Sequence, residues 1–116
     1  MEQRRTTTVL VLDSASLGRG NDELGAQLMI NYLRTWAFRD DGPEVVACYN
    51  EGVKLAVKDS PALPMLEAIG QKGADIMLCA TCVNFFGIQD TLGVGRVGDM
   101  KGIVEALATA DKVVYT

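Results

Sequence analysis

Ala74-Asp75-Ile76-Met77-Leu78-Cys79-Ala80-Thr81-Cys82 decides how this chain is read. Ala74 to Leu78 is a short, mostly apolar run of strand length. Two cysteines follow it, three residues apart, at what reads as the strand's end. Open α/β folds collect their ligand sites at that edge of the sheet. The stretch therefore announces both an architecture and a thiol chemistry.

Working outward, the same alternation recurs. Thr7 to Asp13 is a β-branched, apolar run that predicts a buried first strand, followed by the turn-rich Ser14–Asn21. Asp22 to Phe38 predicts a helix capped by Asn21 or Asp22, whose short side chains accept from free N–H groups. Its apolar face is read as Leu24, Leu28, Tyr32 and Trp36, widened by Ile30 and Leu33. Asp40-Asp41-Gly42-Pro43 breaks the helix, and Glu44 to Tyr49 predicts a second strand. Asn50-Glu51-Gly52 reads as a turn, with a short helix over Val53–Val57. Pro61 suits a helix start, with Ala62, Leu63, Leu66 and Ile69 on one face up to Gly70. After the cysteines, Val83 to Leu92 reads as a loop holding a short helix. Val94–Val97 is a weak fourth strand. Met100, Ile103, Val104, Leu107 and Ala108 form an amphipathic helix, and Lys112–Tyr115 a last strand. Five strands alternating with helices predict an α/β fold, a three-layer α/β/α sandwich around a mostly parallel five-stranded sheet. At 116 residues, one domain over 1–116 is expected.

Composition removes several function classes. The net charge is −4 and the only basic cluster is Arg4-Arg5, which argues against a nucleic-acid binder. No apolar run approaches the roughly 20 residues of a membrane span. Val9–Leu12 is too short for a signal-peptide core, so a cytoplasmic chain with reduced thiols is expected. The absence of histidine excludes Cys–His and Ser–His–Asp hydrolases and every His-ligated metal site. Three cysteines fall short of the four ligands of a closed zinc site. No cofactor is expected.

Three segments resemble the DsrE/DsrF-like sulfur-relay family, and within it the small homologues related to YchN and the C-terminal domain of YedF-type selenium-metabolism proteins. They are Gly18-Arg19-Gly20-Asn21-Asp22-Glu23-Leu24-Gly25, Tyr49-Asn50-Glu51-Gly52-Val53-Lys54-Leu55 and Leu78-Cys79-Ala80-Thr81-Cys82-Val83-Asn84-Phe85-Phe86-Gly87-Ile88. Thr109-Ala110-Asp111-Lys112-Val113-Val114 is similar to the family's closing strand. The third segment is the specific one: C-x-T-C with Gly87 eight residues after the first cysteine. Single-cysteine relatives keep that spacing, so the resemblance maps the sulfur-carrying position onto Cys79. Ala80 stands where the YedF-type pattern has Gly, Gly98-Asp99-Met100 replaces a Ser-Asn-Met-like turn, and the sulfur-carrier domain of YedF-type proteins is not in this sequence. These departures bear on selenium specificity rather than on the fold.

The resemblance implies a sulfurtransferase-like carrier holding sulfur, or selenium, as a persulfide on Cys79. Its partners would be a cysteine desulfurase or small sulfur carrier, an acceptor protein and further copies of the chain. Such a carrier needs a thiolate, favoured by nearby N–H groups or a cation. Thr81 is a candidate donor to the sulfur, and Arg19, Asn50 and Lys54 are candidates for the rim. Cys82 is a candidate to resolve a Cys79 persulfide into a disulfide. Two other readings stay open: a non-catalytic oligomeric binding or assembly module of the same fold, and a Cys79–Cys82 dithiol redox protein. Buried packing is the plain alternative for both cysteines, and is the expected role of Cys48.

Other signals are weaker. Gly18-x-Gly20 fails the dinucleotide fingerprint because the third glycine falls at Gly25. Asp22 and Glu23 would repel a pyrophosphate there but suit a helix start. Asp13 reads equally as a rim or a solvated turn residue. Val83, Phe85, Phe86 and Ile88 form an apolar cluster for the sheet or for a subunit interface.

Overall fold

The computed structural model describes residues 6–116; Arg4-Arg5 lies outside the described residues. Five strands form one sheet: β1 (Thr8–Leu12), β2 (Val45–Cys48), β3 (Asp75–Cys79), β4 (Arg96–Gly98) and β5 (Lys112–Val114). Their order is β4-β3-β2-β1-β5, and every pairing is parallel. Parallel strands need crossovers, and α1 (Asp22–Phe38), α2 (Leu63–Gln71), α3 (Ala80–Phe86) and α4 (Met100–Thr109) occupy them.

Side chains alternate across the sheet and build two cores. Leu10, Leu12, Val46, Cys48, Ile76 and Leu78 point to the face covered by α1 and α2, where Met29, Leu33, Leu66 and Ile69 meet them. Val9, Val11, Ala47, Met77 and Cys79 point to the other face, where Ile103 of α4 seals them. The molecule is thus an α/β/α sandwich with a mostly apolar strand set, as strands buried on both faces require.

Local chemistry sets most element ends. Asn21 caps α1 by accepting from the Leu24 N–H at 2.9 Å, and Asp99 caps α4 by accepting from Gly102 at 2.9 Å. Beyond the C-terminus of α1, the Lys72 ammonium donates to the carbonyls of Trp36, Arg39 and Gly42 at 3.0, 2.6 and 3.2 Å. A cation there complements the helix dipole.

Four expectations are corrected. The buried stripe of α1 is Gly25, Met29 and Leu33, one position on from Leu24 and Leu28, which face solvent. Close approach of the preceding loop sets this rotation, since a Cβ on Gly25 would run into Ser16 Oγ. The second helix begins at Leu63 with Pro64 in its first turn, not at Pro61. Residues Asn50–Ala56 form one continuous 3₁₀ segment rather than a turn and a helix. Lastly, α3 starts directly at the cysteine pair rather than after Val83. The face of α4 is only partly used: Ile103 is buried, whereas Met100 and Val104 are exposed. Among the described residues no helix is long and apolar enough to cross a membrane.

Candidate functional site

Cys79 is the last residue of β3 and the N-cap of α3. Its strand geometry (φ −61°, ψ 122°) turns the chain straight into the helix. Gly87 ends that helix with φ +65°, a left-handed conformation that glycine adopts without strain. Cys82 lies one turn into α3, so the C-x-x-C spacing stacks the second sulfur over the first.

The register of the sheet separates the third cysteine from this pair. Cys48 pairs with Leu12 and Leu78 and points to the α1–α2 face, whereas Cys79 points to the α4 face with Met77. Cys48 is fully buried, and burial pushes its thiol up to about 12. It is a packing residue. All three cysteines are free.

Within the pair the burial differs. Cys79 is 2 % exposed, while Cys82 is half-buried and packs against both cores. The two thiols are neighbours in one cluster, close enough for Cys79 to shift the Cys82 thiol. Cys82 Sγ accepts from the backbone N–H of Asn50 at 3.0 Å. Asn50 sits at φ +51°, the left-handed region that asparagine tolerates better than most residues. The Cys82 thiol is raised above its ordinary value. Burial is the main cause, the Asn50 N–H opposes it, and the neighbouring Cys79 adds to it. Tyr49, beside Cys82 on the α4 side, is also raised, by burial and then by the charge of Asp13 and by Tyr115.

The other candidates are placed as follows. Asn50 reaches the site through its backbone. Lys54 stands in the same 3₁₀ segment, but its ammonium lies 4.3 Å from the centre of the Phe86 ring and 3.4 Å from a Glu51 carboxylate oxygen. Its charge is directed to those groups, and no hydrogen bond joins it to a sulfur. Arg19 is exposed in the loop after β1, and Thr81 is exposed on α3; among the described residues neither is bonded to either sulfur. Sequence reasoning named no role for Tyr49 and gave Asn50 only a place at the rim. The missing signal was register: Cys48 pairs with Leu78, which sets residues 49 and 50 beside Cys79 and Cys82. Among the described residues no three His, Cys, Asp or Glu groups gather as a metal site. A groove of about 450 Å³ along the β3–β4 edge is lined by neither cysteine.

The profile of the DsrE/DsrF-like family matches residues 26–115, which includes β2, the 3₁₀ segment, β3 and both site cysteines. The chain belongs to the DsrE/DsrF-like family. Solved structures of the same fold agree. The YchN protein of E. coli superposes with a TM-score of 0.68 at 19 % identity, covering 97 % of this chain and 100 % of that one. A protein of unknown function from Methanobacterium thermoautotrophicum, MTH1491, gives 0.70 at 20 % identity, with the same coverage. A conserved protein of unknown function from Bacteroides thetaiotaomicron, BT1422, gives 0.64 at 19 %, covering 94 % of each chain. Among curated proteins none matches the sequence. For a DsrE/DsrF-like chain, the arrangement places two free, adjacent thiols at the C-terminal end of β3. One of them is shielded by the fold and the other is partly open.

Proposed function

We propose that this DsrE/DsrF-like protein is a sulfur carrier that holds a sulfane sulfur, or selenium, as a persulfide on Cys79. The observation that carries the reading is the adjacent Cys79–Cys82 pair at the end of β3, with an Asn50 N–H aimed at one sulfur. A persulfide needs a nucleophilic sulfur to accept it and a site dry enough to keep water and stray thiols from it. Cys79, nearly enclosed by Met77, Ile103 and Cys82, meets the second requirement. The reduced, cytoplasmic setting keeps the pair available as thiols. A cysteine desulfurase or a small carrier protein supplies the sulfur, an acceptor protein takes it, and the chain works as a homo-oligomer.

Incubation with a cysteine desulfurase and cysteine, then mass spectrometry under non-reducing conditions, tests the reading. The expected product is Cys79 heavier by one sulfur atom. An unmodified chain refutes it.

The burial of Cys79 favours a second reading, a binding or assembly module that kept the fold without the chemistry. That reading predicts that neither Cys79 nor Cys82 takes up sulfur and that Cys79 resists thiol probes in the folded state.

A further inference from the structure

We infer that Cys82, not Cys79, is the thiol that first receives sulfur, and that it hands the sulfur inward to Cys79. This rests on the carrier reading and adds an order to it. Three observations carry it. Cys79 is 2 % exposed, so an incoming donor persulfide, small or protein-borne, does not reach its sulfur without opening the fold. Cys82 is partly open, lies one turn into the helix that Cys79 caps and packs in the same cluster, so it lies next to the shielded sulfur. The Asn50 N–H, 3.0 Å from Cys82 Sγ, is aimed at the outer sulfur. A backbone donor at that distance stabilises negative charge, which an attacking or departing thiolate carries.

Each step conserves atoms and electrons. The Cys82 thiolate attacks the outer sulfur of a donor persulfide R–S–SH. A Cys82 S–S bond forms, the donor's S–S bond breaks, and R–S⁻ leaves with the electron pair and takes up the proton that Cys82 lost. The Cys79 thiolate then attacks the outer sulfur of Cys82–S–SH. A Cys79 S–S bond forms and Cys82 departs as a thiolate beside the Asn50 N–H, then takes up the proton that Cys79 lost. Neither step consumes an oxidant, because sulfane sulfur only changes its bonded partner. Attack on the inner sulfur instead would give a Cys79–Cys82 disulfide and release HS⁻, so the outer sulfur must be presented to Cys79. In this scheme Asn50 is a positioning residue that acts through Cys82.

The test uses the full chain and cysteine persulfide as donor, with rapid alkylation and mass spectrometry of each cysteine. In the unsubstituted protein the extra sulfur should appear on Cys82 first and on Cys79 later. Cys79→Ser should still load Cys82, and the extra sulfur should stay there. Cys82→Ser should load Cys79 at least about tenfold more slowly, since burial limits access. Asn50 holds its N–H on Cys82 through a left-handed backbone, φ +51°. Asn50→Val strains that backbone and should slow loading and shift the alkylation profile of Cys82 to higher pH. Cys79 loading first, or loading at full rate in Cys82→Ser, overturns the order while leaving the carrier reading intact. No extra sulfur on any cysteine overturns both.

Discussion

Gly52→Ala is the sharpest single-atom probe of how the fold holds this site. Gly52 lies in the 3₁₀ segment behind β2, and its N–H donates to the Tyr49 carbonyl at 3.0 Å. A Cβ at this position would sit 1.9 Å from the Leu12 carbonyl oxygen and 2.6 Å from its carbon. Leu12 does not retreat easily, because it is fully buried at the end of β1 and paired with Cys48. The 3₁₀ segment must move instead, by roughly 1.5 Å to reach ordinary contact, and such overpacking costs about 1–3 kcal/mol. The same shift carries Asn50 with it. Its N–H starts 3.0 Å from Cys82 Sγ, so the bond is lost. That loss adds about 1 kcal/mol. Urea unfolding should therefore show a lower midpoint at unchanged slope, worth about 2–4 kcal/mol. Because the Asn50 N–H pulls the Cys82 thiol down, the alkylation profile of Cys82 should also move to higher pH. A midpoint within about 0.5 kcal/mol of the original, the level of an inert surface change, together with an unmoved profile would refute the account.

The remaining predictions concern the frame around the site. Cys48 stays protonated to about 12 when folded but ionises near its ordinary value when unfolded, so its contribution is whole below pH 9 and lost as pH rises towards 12. Between those limits the original should lose about 1.4 kcal/mol per pH unit more than Cys48→Ala; parallel curves would exclude it. Asp75 is held below its ordinary value by its bond to Arg96, with two contacts of 2.8 Å. Its stabilisation is present above the unfolded carboxyl range and lost as pH falls through the lowered value. Because the pair is 57 % and 42 % exposed, Asp75→Asn should cost less than about 1 kcal/mol, and the difference should vanish in molar salt. Ile103 is the buried anchor of α4, so Ile103→Ala should cost about 2–5 kcal/mol by denaturant unfolding, against little for exposed Met100→Ser.

Legibility in the sequence followed the range of the interactions. The bounds of α1 were readable because Asn21 and the Asp40–Pro43 break are local chemistry. β1 and β3 were readable because strands buried on both faces write unbroken apolar runs. The rotation of α1 was not, because it depends on Ser16 meeting Gly25 across a loop. The start of α3 was hidden because seven residues are too few to display a helical period. The cysteine pair itself stood out, but the difference in burial within it did not. Nor did the bond from Asn50 to Cys82, which spans 32 positions and exists only through the β2–β3 register.

The strand order carries a kinetic consequence. β1 is an inner strand whose two neighbours come from distant parts of the chain: Val9 pairs with Val45 on one side and with Val113 on the other. The β2 side closes across a crossover of ordinary length. The β5 side closes across nearly the whole chain, and such a long loop lowers the chance of meeting and slows the step. Until Lys112–Val114 dock, β1 presents a bare row of backbone donors and acceptors to any extended segment nearby. The last strand to arrive is therefore also the one that protects the folding chain from pairing with its neighbours, although only three of its residues enter the sheet.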